Sequence, residues 1–206
     1  MYFVALVFII IHQHRRRLSL FPIVTMNYTS LQLIDIRPEE YFEFIIHGKP
    51  VAQKRPGIRI RYTRFGVPYP QIYNQNENDS AFFRHVLRPI VQQYHNPPLF
   101  FAQQPLHIEI GFFMPRPQNH FRTRNRCVIR DESELKPNFV HRPHIQTPDT
   151  DNMVKFILDA FNEILYADDR QIATIYAFKV YDNEDECTGR TYVRIKNTYR
   201  RRVPYN

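Results

Sequence analysis

Five aspartates and one lysine between residues 147 and 172 are the side chains of this sequence best suited to chemistry. The segment reads TPDTDNMVKFILDAFNEILYADDRQI, and it concentrates acid in a chain whose formal net charge is +8. Carboxylates brought together without a cation repel one another, and each raises the pKa of its neighbour. A cluster built from Asp149, Asp151 and an aspartate of the 168–169 pair would therefore need a cation.

The residues around Pro148 determine how the first two aspartates are presented. Proline fixes its own backbone and favours an extended conformation at Thr147, so we expect a strand to end at Asp149. In an extended segment, Asp149 and Asp151 face the same way. A helix is predicted from Asn152 onward, with Asp151 able to cap it. Its apolar stripe is formed by Val154, Ile157, Leu158, Phe161, Ile164 and Leu165.

The opposite side of this predicted helix is polar, and Lys155 lies on it about one turn from the start. Tyr166 to Asp169 is expected to end the helix, and the alternation that follows predicts a strand. A helix, a turn and a returning strand can bring Asp168 or Asp169 back beside the start of the helix. Three carboxylates would then converge near Lys155.

Converging carboxylates and a lysine favour divalent-metal chemistry on phosphate esters. Hard ions such as Mg²⁺ prefer carboxylate oxygens and retain several waters. One such ion, or a pair about 4 Å apart, activates water and stabilises an in-line displacement at phosphorus. Lys155 would hold a nonbridging or leaving oxygen. Three simpler interpretations stay open: an acidic N-cap at Asp151, an exposed acidic turn at 168–169, and a salt bridge between Lys155 and Asp159.

The excess of positive charge favours a nucleic-acid partner, because lysines and arginines that neutralise phosphates release counterions. Solubility or an acidic protein partner would explain the same charge. Basic residues cluster after the first predicted strand, where alternation puts Arg59 and Arg61 on one face. That face either contacts phosphates or protects a solvated edge strand. The candidate DNA-binding residues are Lys49, Lys54, Arg55, Arg59 and Arg61.

The 206 residues suit one domain that mixes strands and helices. Strands are predicted around residues 42–46 and 106–110, where apolar and polar side chains alternate. A helix is predicted over 82–91, with Asp79 or Ser80 as its N-cap.

Two features interrupt this regular pattern. Pro89 is expected to bend or interrupt the helix that contains it, because proline lacks a backbone donor. Residues 116–146 form a long connection without sustained periodicity. Its histidines are expected to face solvent or phosphate in preference to a metal. These histidines are His120, His141 and His144.

Both ends of the chain are expected to lie outside the folded domain, which spans residues 41–198. The apolar run 1–11 is shorter than the roughly 20 residues of a spanning helix, and arginines follow it instead of preceding it. We therefore expect no membrane span, no membrane contact and no secretion. Residues 1–35 are predicted to be an extension, either untranslated, if Met26 is the start, or disordered. Residues 199–206 form a basic tail.

The order of residues in the acidic segment resembles the signature of RusA-type Holliday junction resolvases. Upstream, FIIHGKPVAQKRP and IEIGFFMPRP are similar to the first two strands of that family, so the resemblance covers residues 41–196. The matched residues of the acidic segment are Pro148, Asp149, Asp151, Asn152, Lys155, Asp159, Ala160, Asn162, Asp168, Asp169 and Gln171.

This resemblance implies an α+β fold, a mixed β-sheet with a few packed helices, assembled as a homodimer. It also implies an endodeoxyribonuclease that binds four-way DNA junctions and nicks opposing strands with Mg²⁺, for which Mn²⁺ is the expected substitute. By position, Asp149, Asp151 and Asp169 would be the catalytic metal-binding acids and Lys155 the catalytic lysine. Asp168 would be a less certain neighbour. Two sites related by two-fold symmetry match the symmetry of a four-way junction.

Departures from the family pattern leave the substrate preference open. Thr147 stands where a basic residue is common, Arg170 stands where a small polar residue is common, and the 116–146 segment is longer than expected. A nuclease acting on flaps or forks is therefore an alternative, as is a junction-binding protein without catalysis. Either protein would act inside the cell, wherever DNA is replicated, recombined or repaired.

Overall fold

The computed structural model describes residues 7–9, 21–23, 30–37, 40–94, 96–124, 127–128, 130–184 and 186–198. The other residues of the expected extension (1–35) and the whole of the expected basic tail (199–206) lie outside the described residues. The strands are β1 (Val7–Ile9), β2 (Phe21–Ile23), β3 (Ser30–Arg37), β4 (Tyr41–His47), β5 (Gly57–Tyr62), β6 (Pro68–Tyr73), β7 (Leu106–Met114), β8 (Thr123–Arg124), β9 (Cys127–Val128), β10 (Ile172–Tyr181) and β11 (Arg190–Asn197). The α-helices are α1 (Glu77–Gln92), α2 (Pro137–Val140) and α3 (Thr150–Phe161).

A five-stranded sheet in the order β10-β7-β11-β4-β3 forms the centre of the fold. β10 runs parallel to β7, and the other neighbouring pairs are antiparallel. Alternate side chains of β4 and most of β7 are buried, as their sequence pattern predicted. They give the sheet one apolar face. The sheet is therefore mixed, and together with its helices it confirms the predicted α+β fold.

α1 and α3 cover the apolar face through a cluster of aromatic rings. Phe83 of α1 contacts Phe156 and Phe161 of α3, with ring centroids 5.5 and 6.2 Å apart. Phe161 also lies 5.5 Å from Phe44 of β4. Edge-to-face contacts of this kind add to the free energy gained by burying the rings. This packing fixes α3 on the sheet. No helix in the described ranges is long and apolar enough to cross a membrane.

α1 begins earlier than predicted and is not interrupted. Asn76, and not Asp79 or Ser80, occupies the N-cap position, although its side chain makes no capping bond. Pro89 lies inside the helix, which continues to Gln92. On the apolar face, Leu87, Ile90 and Val91 around the proline are buried in the core. Packing of this apolar face outweighs the single backbone donor that proline removes.

Part of the predicted extension belongs to the sheet. β3 pairs with β4 so that Leu31 lies opposite Ile46 and Leu33 lies opposite Phe44. Leu31 and Leu33 are buried. Residues 30–35 were predicted to lie in the extension, but their alternating apolar side chains complete the core at the edge of β4.

The connection between residues 116 and 146 is organised around one buried side chain. The guanidinium of Arg116 donates hydrogen bonds to the carbonyl oxygens of Phe139 at 2.7 Å, Val140 at 3.0 Å and Asp182 at 2.8 Å. Buried carbonyls need such partners, because an unpaired one costs free energy. Arg116 thereby ties residues 139 and 140 of a segment without periodicity to the end of β10.

Two of the three histidines in this connection are buried, contrary to the prediction. His120 stacks on Phe139 with ring centroids 4.2 Å apart, and His144 packs on Tyr181 at 4.6 Å. Burial is the main cause that lowers the pKa of both imidazoles, which favours the neutral form. His141 is exposed, as predicted.

Candidate active site

α3 differs from its prediction at both ends. It begins at Thr150, two residues before Asn152, and it ends at Phe161, so that Ile164 and Leu165 follow it in a turn. Both side chains are buried, because the turn packs on the same core as the helix. The apolar stripe therefore predicted burial only in part, since Val154 and Leu158 are partly buried, and it extended the helix too far.

The start of α3 presents Asp149 and Asp151 to solvent. Asp149 is the N-cap residue, with φ −73° and ψ 145°, and Asp151 lies in the first helical turn. The prediction that Asp151 caps the helix is wrong, as is the prediction that a strand leads into Asp149. The carboxylate of Asp149 accepts no capping bond. Both acids stay exposed at the positive end of the helix dipole, which favours negative charge.

Lys155 lies on the exposed side of α3, four residues after Asp151. Within the described part of the chain it forms no ion pair with Asp159, so the predicted salt bridge is absent. The ammonium group is therefore available one turn beyond the two acids.

The two aspartates before β10 have different environments. Asp168 caps a 3₁₀ turn at Asp169–Gln171: its Oδ1 accepts from the backbone N–H of Arg170 at 3.0 Å, and Gln171 Oε1 accepts from the backbone of Asp168 at 3.1 Å. The Arg170 guanidinium also lies 3.4 Å from Asp168 Oδ2. Asp169 is exposed, and no described side chain forms a hydrogen bond or ion pair with it. Asp168 is thus a structural carboxylate, whereas Asp169 is available to a ligand.

Replacing Asp168 with Ala should destabilise the fold without removing an acid of the site. The loss of a capping side chain costs about 1 kcal/mol in the free energy of unfolding. Thermal and urea denaturation would measure this loss against Asp168→Asn, which retains an acceptor oxygen for capping. Equal stability of the two variants would contradict the capping role.

Tyr166, three residues before Asp169, contacts the second half of α3. Burial, followed by the negative charges of Asp169 and Asp159, raises the pKa of Tyr166. The Tyr166 hydroxyl donates to the carbonyl oxygen of Leu158 at 2.8 Å. Leu158 is seven residues after Asp151, about 10 Å farther along the helix. Tyr166 thereby attaches the chain just before Asp169 to the second half of the helix.

Among the described residues, no three His, Cys, Asp or Glu side chains are grouped so that they could hold a metal ion. Asp149 and Asp151 lie two residues apart at the start of α3, and the predicted grouping of Asp169 with them is not found in this part of the chain. Two exposed carboxylates still suit Mg²⁺, which is usually bound by one or two carboxylates together with waters and substrate phosphates. The donor chemistry at the start of α3 therefore fits this ion.

A basic loop lies against the same end of α3. The backbone N–H of Gln53 donates to the carbonyl oxygen of Asn152 at 2.8 Å. The buried Asn76 holds the loop from the other side: its Oδ1 accepts from the backbone of Lys54 at 2.6 Å, and its Nδ2 donates to Ala52 at 3.1 Å. Lys54 and Arg55 are exposed and follow directly on the residue attached to α3, and Lys49 is exposed at the start of the loop.

The other two predicted DNA-binding residues lie on a separate hairpin formed by β5 and β6. Arg59 and Arg61 share one face, opposite Gln71 and Tyr69. Arg59 donates to Gln71 at 2.9 Å, and its guanidinium lies 5.1 Å from the ring centroid of Tyr73. The shared face was predicted, but the hairpin is not an edge of the main sheet. It extends the basic surface away from the core.

A cleft of about 550 Å³ between this hairpin and α1 adds a basic residue that the sequence did not indicate. Arg59 and Arg84 line it, together with Glu77, Ser80 and Tyr73. Arg84 belongs to the exposed side of an amphipathic helix, where a charge is ordinary. Only the approach of the hairpin brings it beside Arg59.

Comparisons with known proteins identify the family of this chain. The family model described as Endodeoxyribonuclease RusA matches residues 47–196. An uncharacterized protein of Bacillus subtilis (strain 168), YqaN, is 25% identical to this chain over 142 residues, which cover 69% of this chain and 89% of YqaN. The family match includes the basic loop, the hairpin, α3 and the turn that carries Asp169. The chain belongs to the RusA family of endodeoxyribonucleases.

Proposed function

We propose that this protein is a Mg²⁺-dependent, structure-selective endodeoxyribonuclease that resolves Holliday junctions by paired nicking. The observation that carries the proposal is the hydrogen bond from Gln53 to Asn152, which attaches the basic loop to the first turn of α3, where the two acids lie. Without adjacent positive charge, Asp149 and Asp151 would repel a phosphodiester. Lys54 and Arg55 supply that charge beside them.

DNA binds along the basic loop and the arginine face of the hairpin. Lysine and arginine contacts with phosphates release counterions, so this binding is largely independent of sequence and sensitive to salt. The backbone of one strand is thereby delivered to the start of α3. Arg84 extends the same path on the side of α1.

The chemistry takes place at the exposed acids of α3. Asp149 and Asp151 would hold Mg²⁺, or Mn²⁺ in its place, with Asp169 as the third acid of the family pattern. The ion supplies activation of a water and neutralisation of charge at phosphorus. Lys155, one turn farther along the helix, holds a nonbridging or leaving oxygen. Asp168 stays outside this set, because its carboxylate caps the following turn.

A homodimer suits the proposed substrate. Two copies of the site, related by two-fold symmetry, would meet two equivalent strands of a four-way junction. Paired nicks would then leave two duplexes, whereas a monomer would leave a nicked junction.

A panel of branched DNAs tests this substrate. Synthetic four-way junctions, flaps, forks and linear duplex would be incubated with the protein in Mg²⁺. We expect the four-way junction to be cut faster than the other substrates. Faster cutting of flaps or forks would indicate that the protein is a flap or fork nuclease and not a resolvase. Binding of four-way DNA without cleavage would favour a non-catalytic junction-binding protein.

Replacing Arg59 and Arg61 together with Ala should weaken DNA binding and its dependence on salt. Each phosphate contact contributes about 0.9 to the slope of log affinity against log salt, so the slope should fall by about 2. Ile60→Ser changes the opposite, uncharged face of the same strand and is the matched control. Fluorescence anisotropy between low and moderate salt measures both variants; a slope equal to that of the wild type would exclude these arginines from the DNA interface.

A further inference from the structure

Lys179 of β10 holds the segment that leads into Asp149. Its Nζ donates to the carbonyl oxygens of Gln146 at 2.7 Å and Pro148 at 2.8 Å. The neighbouring Val180 forms a β-bridge with Pro143, at the start of the same segment. Two consecutive residues of the edge strand therefore anchor the approach to α3.

The bond to Pro148 acts directly on the backbone of Asp149. The carbonyl group of Pro148 and the amide nitrogen of Asp149 belong to one planar peptide unit. A hydrogen bond that fixes the carbonyl therefore fixes the orientation of the peptide plane from which Asp149 begins. An ammonium donor makes this bond stronger than a bond between neutral groups.

Few other contacts of this segment could replace Lys179. Residues 144–149 form neither helix nor strand, and Pro148 has no N–H to donate. The His144 imidazole is buried beside Tyr181, and in the described structure its Nδ1 has no hydrogen-bond partner. Lys179 lies in register with the buried Phe112, so its stem passes along the helix-covered side of the sheet.

We infer that Lys179 is a positioning residue, which orients the carboxylate of Asp149 relative to that of Asp151. This inference rests on the proposed function of those acids. Lys179 uses two of its three ammonium donors on backbone carbonyls, and through the carbonyl of Pro148 it acts on Asp149. Loss of a group that orients a metal ligand typically lowers metal affinity or activity about 10–100-fold.

The test compares Lys179→Met, which removes the donors, with Lys179→Arg, which retains a cationic donor. Lys196→Met is the matched control: Lys196 pairs with Glu109 at 2.6 Å and lies in register with His107. Three quantities would be measured for each full-length protein: single-turnover cleavage of a four-way junction against Mg²⁺ concentration, the shift in Tm caused by Mn²⁺ without DNA, and the Kd for junction DNA in EDTA.

For Lys179→Met we expect the half-saturating Mg²⁺ concentration to rise about tenfold or more and the Mn²⁺-induced shift in Tm to shrink. The Kd for DNA should stay within about twofold of the wild-type value. Lys179→Arg should restore most of the metal response, and Lys196→Met should behave as wild type. If Lys179→Met does not fold, Lys179→Gln, which keeps one amide donor group, is measured in the same way with the same expected direction.

Three results would overturn the positioning role. The first is a wild-type metal response in Lys179→Met. The second is a raised Kd for DNA with an unchanged metal response, which would indicate that Lys179 contacts a phosphate directly. The third is a lower Tm with an unchanged Mg²⁺ midpoint, which would indicate that Lys179 only stabilises the fold. A wild-type protein that cuts no branched DNA would instead refute the proposed function. The Mn²⁺-induced shifts in Tm would still decide whether Lys179 positions Asp149.

Discussion

Asp151→Asn should abolish cleavage of branched DNA while leaving its binding intact. The amide keeps the size of the side chain but removes the charge that a divalent ion requires, so the single-turnover rate should fall by about 10³-fold, or about 4 kcal/mol in activation free energy. Because Asp151 is exposed and accepts no capping bond, the free energy of unfolding should change little. Quench-flow or manual-quench assays at saturating protein measure the rate, and gel shifts in EDTA measure binding.

Glu163→Gln is the matched control for this variant. Glu163 is an exposed acid just after α3, and its replacement removes the same charge from the same part of the chain. It should cut DNA at the wild-type rate. A normal rate in Asp151→Asn would exclude Asp151 from the metal site. An equal loss in both variants would show that the acids of this region act through general electrostatics.

Lys155→Met should lower the cleavage rate by about 10²-fold without shifting the Mg²⁺ midpoint. The side chain is exposed one turn beyond Asp151, and the described structure gives it no ion pair with Asp159. Its positive charge is thus available to an oxygen of the reacting phosphate. The rate at saturating Mg²⁺ and saturating protein measures this loss separately from binding.

Lys155 and Lys179 are therefore distinguishable by their kinetics. Removal of Lys155 should reduce the maximal rate, whereas removal of Lys179 should raise the metal requirement. A wild-type maximal rate in Lys155→Met would show that this lysine is a solvated surface charge without a role in cleavage. A raised Mg²⁺ midpoint in the same variant would instead assign it to the arrangement of the acids.

The sequence predicted the elements that carry the site because their side chains alternate or recur with clear periods. β4 and β7 bury alternate residues over much of their length, and the stripe of α3 packs on the sheet, whereas β10 buries only Tyr181. The boundaries were less accurate. Ile164 and Leu165 continue the apolar period beyond the end of the helix, because a turn can bury side chains on the same core.

The pairing of acids with their partners could not be predicted from spacing. Asp168 and Asp169 are adjacent and identical in type, yet one caps a turn and the other is exposed. The difference arises from backbone geometry, which a sequence pattern does not contain. The hydrogen bond between Tyr166 and the carbonyl of Leu158, which attaches the chain just before Asp169 to α3, likewise has no signal in the sequence.

Long-range contacts were also beyond the sequence pattern. Lys179 lies in a strand with alternating side chains, and the pattern gives it no role beyond its place in that strand. Arg116 lies in a segment with no periodicity at all. Each acts on backbone carbonyls more than 20 residues away. The hydrogen bond between Gln53 and Asn152, which brings the basic loop to α3, was also not predictable from the sequence pattern.

Cleavage of an immobile four-way junction in Mg²⁺ and in EDTA, by the wild type and by Asp151→Asn, tests the central claim most directly. We expect paired nicks on opposing strands with the wild type in Mg²⁺, and no nicks either in EDTA or with the variant, although both proteins bind the junction. Cleavage that persists in EDTA, or in Asp151→Asn with Mg²⁺, would contradict a metal-dependent nuclease site at the start of α3.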